Sequence, residues 1–271
     1  MKTHTGSTHQ SRLTGGIERA LAAIALLLAT AAPALAGQGN VGNPGIAPPQ
    51  SHFRGQSYAE WSAAYFEWVY SLPVDRHPLF DTAPCSEGQT GNVWFIDGTH
   101  GTPFPPAGRD CTIPAGTALF LSLAARNQEN ENGCDGDVIQ RTDYDEAELR
   151  AMAHDGLNGF LGSRGIVIDG VQVLGLPACD PSNPSTCESP YRVQSPVFDY
   201  TVPLHNSILV GDYGPCYDSP PRTEPYTVQG VVADGVYVMI KPLPVGEHIL
   251  QFGPLPAPGG SFSRLYRITV E

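Results

Sequence analysis

The chain has 271 residues, with 27 Asp and Glu against 15 Lys and Arg, and 30 glycines beside 26 prolines. A net charge of −12 excludes nucleic acid and anionic lipid surfaces as natural partners, because both repel an acidic protein. Only 15% of residues are charged, and the wealth of Gly and Pro argues for short strands and turns, not a helical bundle.

At the N-terminus, Lys2, Arg12 and Arg19 precede the apolar run Ala20 to Ala32, and Pro33-Ala34-Leu35-Ala36 follows as a small-residue cleavage site. A positive region, a short apolar core and such a site form a secretory signal peptide. The run is shorter than the ~20 residues that cross a bilayer, so cleavage after residue 36 is expected, with no membrane span afterwards. Loss of residues 1–36 moves the net charge to −14 and leaves Lys241 as the only lysine. The expectation is a secreted or periplasmic protein with a flexible stretch at 37–55 and one disulfide-stapled β-rich domain at 56–271.

Six cysteines, all beyond the signal, read as disulfides in an exported chain. Six allow fifteen pairings. The favoured set is Cys85–Cys111, which brackets a strand pair, Cys179–Cys187, which closes a short Pro/Ser/Asn loop, and Cys134–Cys216 as the remainder. No C-x-x-C spacing is present to suggest zinc.

Ser57-Tyr58-Ala59-Glu60 has the form of a capping box, and Trp61, Tyr65, Trp68 and Leu72 recur on one helical face until Pro73. Strands are expected at Asn92–Ile96, closed by an Asp97-Gly98 turn, and at Thr117–Leu123. The acidic stretch Asn127–Asp137 reads as a loop. A second helix is expected over Asp143–His154, its early acidic residues opposing the helix dipole. Seven strands then follow, among them Val171–Leu174, Thr227–Val232, Gly235–Ile240 and Ser263–Val270. Asp169-Gly170 and Asp234-Gly235 are read as tight turns. The expected fold is mainly β, an antiparallel β-sandwich of jelly-roll or immunoglobulin-like type with two short helices packed on it.

Three stretches, GQSYAEWSAAYFEWVYSLP (55–73), CSEGQTGNVWFIDGT with CTIPAGTALF, and IDGV…YRVQSPVFDY…VADGVYVMIKPLPVGEHILQF, together resemble an uncharacterised family of secreted bacterial proteins. That family has an aromatic N-terminal helix and a β-sandwich-like C-terminal region. The resemblance covers most of the chain after the signal and implies a single unit. It implies no activity and carries over no catalytic residue. The Cys179–Cys187 insert departs from it.

No G-x-S-x-G elbow, phosphate loop or dinucleotide fingerprint is present, and six paired thiols leave no cysteine nucleophile. Glu60 and Glu67 share a helix face, but Glu60 already serves the cap. Glu129, Glu131, Asp135 and Asp137 lie in a turn-rich segment whose oxygens suit calcium, although the spacing is not that of an EF-hand. His205 and His248 fall in β regions and are candidates to converge on a ligand. Tyr213, Tyr217 and Tyr226 sit in a Pro-rich loop that could stack on sugar rings. Two functions follow as expectations. The first is a secreted binding or structural protein for a glycan or cell-surface polymer. The alternative is a secreted hydrolase or lyase acting on an extracellular polymer with calcium support.

Overall fold

The computed structural model describes residues 43, 45–97, 108–180, 183, 187–218, 223–256 and 261–271. The signal segment and Gly98 lie outside these residues. The protein is mainly β, and among the described residues no helix is long and apolar enough to cross a membrane.

Helix α1 (Tyr58–Ser71) starts at the expected capping box. The Ser57 hydroxyl accepts from the Glu60 N–H at 3.2 Å, and the Glu60 carboxylate accepts from the Ser57 N–H at 2.7 Å. Leu72, in extended conformation before Pro73, ends it. Strands β1 (Val93–Asp97) and β2 (Arg109–Ile113) belong to different sheets, and the turn at Pro114–Gly116 returns the chain to β3 (Ala118–Gln128) beside β1. Because the link from β1 to β3 passes through the second sheet, β1 and β3 run parallel, with Val93 opposite Ala118 and Asp97 opposite Ser122.

A hairpin, β4 (Glu131–Asp135) with β5 (Val138–Arg141), leads to helix α2 (Glu146–Asn158). Asp145 and Glu148 cap that helix reciprocally at 2.9 Å each. Strands β6 (Arg164–Ile168) and β7 (Val171–Gln172) meet at the Asp169-Gly170 turn, where both residues have positive φ, 50° and 81°. Then come β8 (Arg192–Gln194), β9 (Phe198–Val202), helix α3 (Ile208–Tyr213), β10 (Tyr226–Ile240), β11 (Gly246–Pro254) and β12 (Arg264–Val270).

One sheet has the order β1-β3-β10-β8, with β9 also pairing β10; the other runs β2-β12-β11-β6-β7. The antiparallel-only expectation is corrected: β1–β3 and β2–β12 are parallel, so both sheets are mixed. Among the described residues three α-helices stand where two were expected. The short α3 is capped by the Ser207 hydroxyl, a cue its few residues do not make legible.

A second correction concerns Asp234-Gly235. The chain does not turn there but runs straight through β10, a single strand of 15 residues. Gly235 stands beside the Tyr237 ring, which a Cβ would meet at 2.5 Å, and Asp234 is held by Arg192. The glycine therefore marks a close approach inside a strand, not a turn.

The aromatic helix is buried on more than the one face its periodicity shows. Tyr65 packs on Phe95 and Tyr237, with ring centroids 6.1 and 5.8 Å away. Phe66 and Tyr70 stack on Phe198 and Tyr200 of β9 at 6.1 and 4.2 Å. Leu119, Leu121 and Val238 of the first sheet join Ile113, Leu250, Phe252 and Ile268 of the second in one continuous apolar core. Burial of each such side chain contributes about 1.5–3 kcal/mol. Ile46 and Ala47, within the stretch read as flexible, are buried in it as well. The Ala47 N–H donates to the Met239 carbonyl at 2.9 Å, and Tyr58 Oη donates to the Ala47 carbonyl at 2.7 Å.

All six cysteines pair as favoured, Cys85–Cys111, Cys134–Cys216 and Cys179–Cys187. Three such bridges fit an oxidising extracellular or periplasmic space.

Candidate functional site

The acidic segment and the tyrosine loop, separate candidates in the sequence, come together. Glu129 and Glu131 flank Asn130 and both point inward, as alternate residues of an extended chain do. Glu129, 5% exposed, accepts from Tyr213 Oη at 2.7 Å, Tyr200 Oη at 3.2 Å and Asn127 Nδ2 at 2.8 Å. Glu131 accepts from Tyr226 Oη at 2.7 Å, Tyr217 Oη at 3.3 Å and Arg141 Nε at 3.1 Å. The Cys134–Cys216 bridge ties β4 to the turn after α3, and so holds the two halves of this nest together.

Burial raises the Glu129 carboxyl above the usual range and the nearby Glu131 charge adds to this, while the three donors oppose it. Burial first, then the Glu129 charge, lifts the Tyr213 phenol well above its usual value, so it stays a donor. The nest thus engages both carboxylates with four phenols, the Asn127 amide and the Arg141 guanidinium. Tyr217 has no exposed surface, so it offers no face to a sugar ring; Tyr213 and Tyr226 are half-buried.

The four acidic residues proposed for calcium are divided. Asp135 and Asp137 lie exposed around the tip of the β4–β5 hairpin. A register shift between Glu131 and Cys134 breaks the alternation that would have kept Asp135 with Glu131. Among the described residues no group of three or more His, Cys, Asp or Glu is placed to hold a metal ion.

The two histidines take separate roles. His205 is exposed on the loop between β9 and α3. His248 lies against the β6–β7 turn, with Nδ1 2.7 Å from Asp169 Oδ2 and Nε2 2.8 Å from the Pro244 carbonyl. Both neighbours only accept, so both ring nitrogens carry protons when both bonds are made. Burial works against the charged ring, but the bonds to Asp169 and Pro244 outweigh it and raise its pKa. Together these contacts join the IDGV and PVGEH stretches.

The open polar site is elsewhere, and sequence reasoning missed it. A groove of about 660 Å³ lies between the end of α2 and β8, lined by His154, Glu188, Ser189, Arg192, Gln194 and Asp234 among others. Its floor is a fixed ion pair. Arg192 Nε and Nη2 reach the two oxygens of Asp234 at 2.9 Å each, and Nη1 donates to Asn158 Oδ1 at 2.7 Å. Nη2 also faces the His154 carbonyl at 3.3 Å, near the negative end of α2. Asp234 is 2% exposed and Arg192 16%, so the pair is rigid and largely desolvated. Arg150 fixes α2 to the same strand region, donating to the Ser195 carbonyl at 2.9 Å.

Above this floor His154, Glu188 and Gln194 are exposed, and the Cys179–Cys187 bridge anchors the chain that carries Glu188. The only sequence cue was the Asp234-Gly235 dipeptide, which imitates a turn. Comparison of the chain with protein-family models, with curated proteins and with solved structures finds no match.

Proposed function

We propose that this is an exported binding protein that takes a hydroxyl-rich ligand, a glycan or cell-surface polymer, in the groove beside β8. The observation that carries the reading is a fixed floor under adaptable walls. The Arg192–Asp234 pair is bidentate and largely buried, while the exposed Glu188, Gln194 and His154 offer acceptors and donors to a polar ligand. A sandwich-like stacking of the two sheets underlies it, with the groove at one sheet's edge. The signal-like N-terminus and three disulfides support export.

The test is a glycan and polymer binding screen with the mature protein, followed by titration. Glu188→Ala and Gln194→Ala are expected to weaken binding by about tenfold each, the loss of one good polar contact. Tyr217→Phe is expected to leave it unchanged. Loss of binding only in the tyrosine variant would reject the groove.

The alternative, a secreted hydrolase or lyase supported by calcium, is favoured by one observation. Glu129 is held toward its protonated form beside a second carboxylate, which is the chemistry of a general acid. Its oxygens are engaged by phenols and it is buried, so the binding reading ranks first. Turnover of a polymer lost in Glu129→Gln would reverse that ranking. A melting temperature lowered by EGTA would support the calcium component.

A further inference from the structure

The groove beside β8 contains an unfinished sheet edge as well as polar side chains. β8 ends the strand order of the first sheet, and among the described residues β10 is its only strand partner. All three residues of β8 line the groove. The Tyr191 carbonyl accepts from the Tyr237 N–H at 3.1 Å, and the Ser195 N–H donates to the Ala233 carbonyl at 2.9 Å. In an antiparallel ladder, residues that bond one neighbour alternate with residues that face away from it. Tyr191, Val193 and Ser195 therefore face β10, and the backbone groups of Arg192 and Gln194 face outward.

The Arg192 N–H is already donated to the Ser189 carbonyl at 3.1 Å. Ser195 ends the ladder, its Oγ accepting from the Ala233 N–H at 2.8 Å and its carbonyl from Arg150 at 2.9 Å. That leaves the Arg192 carbonyl and both backbone groups of Gln194 for a partner in the groove. The side chains beside them alternate. Arg192 and Gln194 share the face on which Arg192 reaches Asp234 and, on α2, Asn158. Val193 points to the other face, half-buried against the apolar core. A strand added about 4.8 Å beyond β8 would alternate in the same way. Its polar side chains would stand beside Gln194, and β-branched apolar ones beside Val193.

We propose that the groove takes an extended peptide that adds antiparallel to β8, with hydroxyl-bearing residues on the Gln194 side and β-branched apolar residues on the Val193 side. The inference rests on the groove reading above and narrows its ligand: the hydroxyl-rich polymer is the Ser/Thr-rich chain of a glycoprotein, not a free polysaccharide. A free polysaccharide lacks the alternating N–H and C=O groups that match this edge.

The experiment is calorimetric titration of the mature protein with the pentapeptide acetyl-Thr-Val-Thr-Val-Thr-amide, run beside the glycan titration. In an antiparallel addition the threonine amides face β8 and the valine amides face away. Saturable binding is expected, weakened about tenfold by N-methylation of the middle threonine amide and little changed by N-methylation of a valine amide. At saturation the Gln194 amide hydrogen should exchange at least about tenfold more slowly by NMR. Equal effects of the two methylations, or no saturable binding of the parent peptide, overturn the proposal on the wild-type chain alone. Unchanged exchange at Gln194 overturns it as well, because the peptide then sits elsewhere. A glycan that binds where the peptide does not sinks the added strand and leaves the groove reading standing. A peptide that binds where no free glycan does supports the strand and rejects a ligand made of sugar alone.

Discussion

Glu129 and Asp234 are both carboxylates buried along the β3–β10 pair, but their surroundings differ. Around Glu129 the donors are neutral, the Tyr200 and Tyr213 phenols and the Asn127 amide, drawn from three chain segments and stitched by a disulfide, and they close the site. Around Asp234 the donor is one guanidinium, which satisfies both oxygens from one side and leaves an open groove above. The chemistry-bearing residue types are densest in the tyrosine nest, but the accessible polar surface belongs to the groove. Residue type marks where polar groups concentrate; the geometry of their partners decides whether anything is left for a ligand.

That contrast can be broken most forcefully at the groove floor. Arg192→Ala leaves Asp234 charged, buried and unpaired, and is expected to cost about 3–5 kcal/mol in urea unfolding. The paired change Arg192→Met with Asp234→Leu should cost much less. If the single and double variants are equally destabilised, the ion pair is not what holds the floor. For the nest, replacing both Cys134 and Cys216 by Ser opens a loop with sequence separation 82 and should cost about 4.5 kcal/mol. The corresponding change at Cys179 and Cys187, separated by 8, should cost about 2.5 kcal/mol on the same loop-entropy argument. Glu129→Leu strips three donors of their acceptor and should cost about 2–4 kcal/mol.

The smallest expected effect is pH-dependent and lies in neither region, which makes it a control. His248 has a raised pKa in the folded protein, so its bonds stabilise fully below the ordinary value of 6.5 and fade as pH rises through the raised one. Burial raises the Asp169 carboxyl, but its bonds from His248 and Ile249 bring it below the ordinary 3.8 overall. Its contribution is present above that value and fades as pH falls through the lowered one. Wild type should therefore exceed His248→Gln in melting temperature between these limits, and the gap should narrow toward alkaline pH. A gap independent of pH would mean that packing, not charge, is what His248 supplies.

Much of the framework was legible because it is local or covalent. Ser57 with Glu60 announces a helix start through two short-range bonds. Asp169-Gly170 announces a turn that only positive φ can make. The site was not legible, because its signals are non-local. Glu129 and Tyr213 are 84 positions apart, and nothing in either neighbourhood tells whether the oxygens face metal, water or phenol. Asp234-Gly235 carried a misleading cue, since the same dipeptide serves a turn when exposed and a ring contact when buried. The parallel edges were hidden for a similar reason: direction depends on which sheet the intervening segment visits.

That edge arrangement has a consequence for how the molecule comes into being. Among the described residues β2 pairs with β12 alone, where Arg109 sits opposite Tyr266 and Ile113 opposite Val270. β3 must likewise wait for β10. A chain emerging from a ribosome or a pore with its first residues leading holds unfinished ladders until nearly its last strand arrives. Such long-range pairing makes for slow maturation, and it keeps the polypeptide threadable for as long as threading lasts.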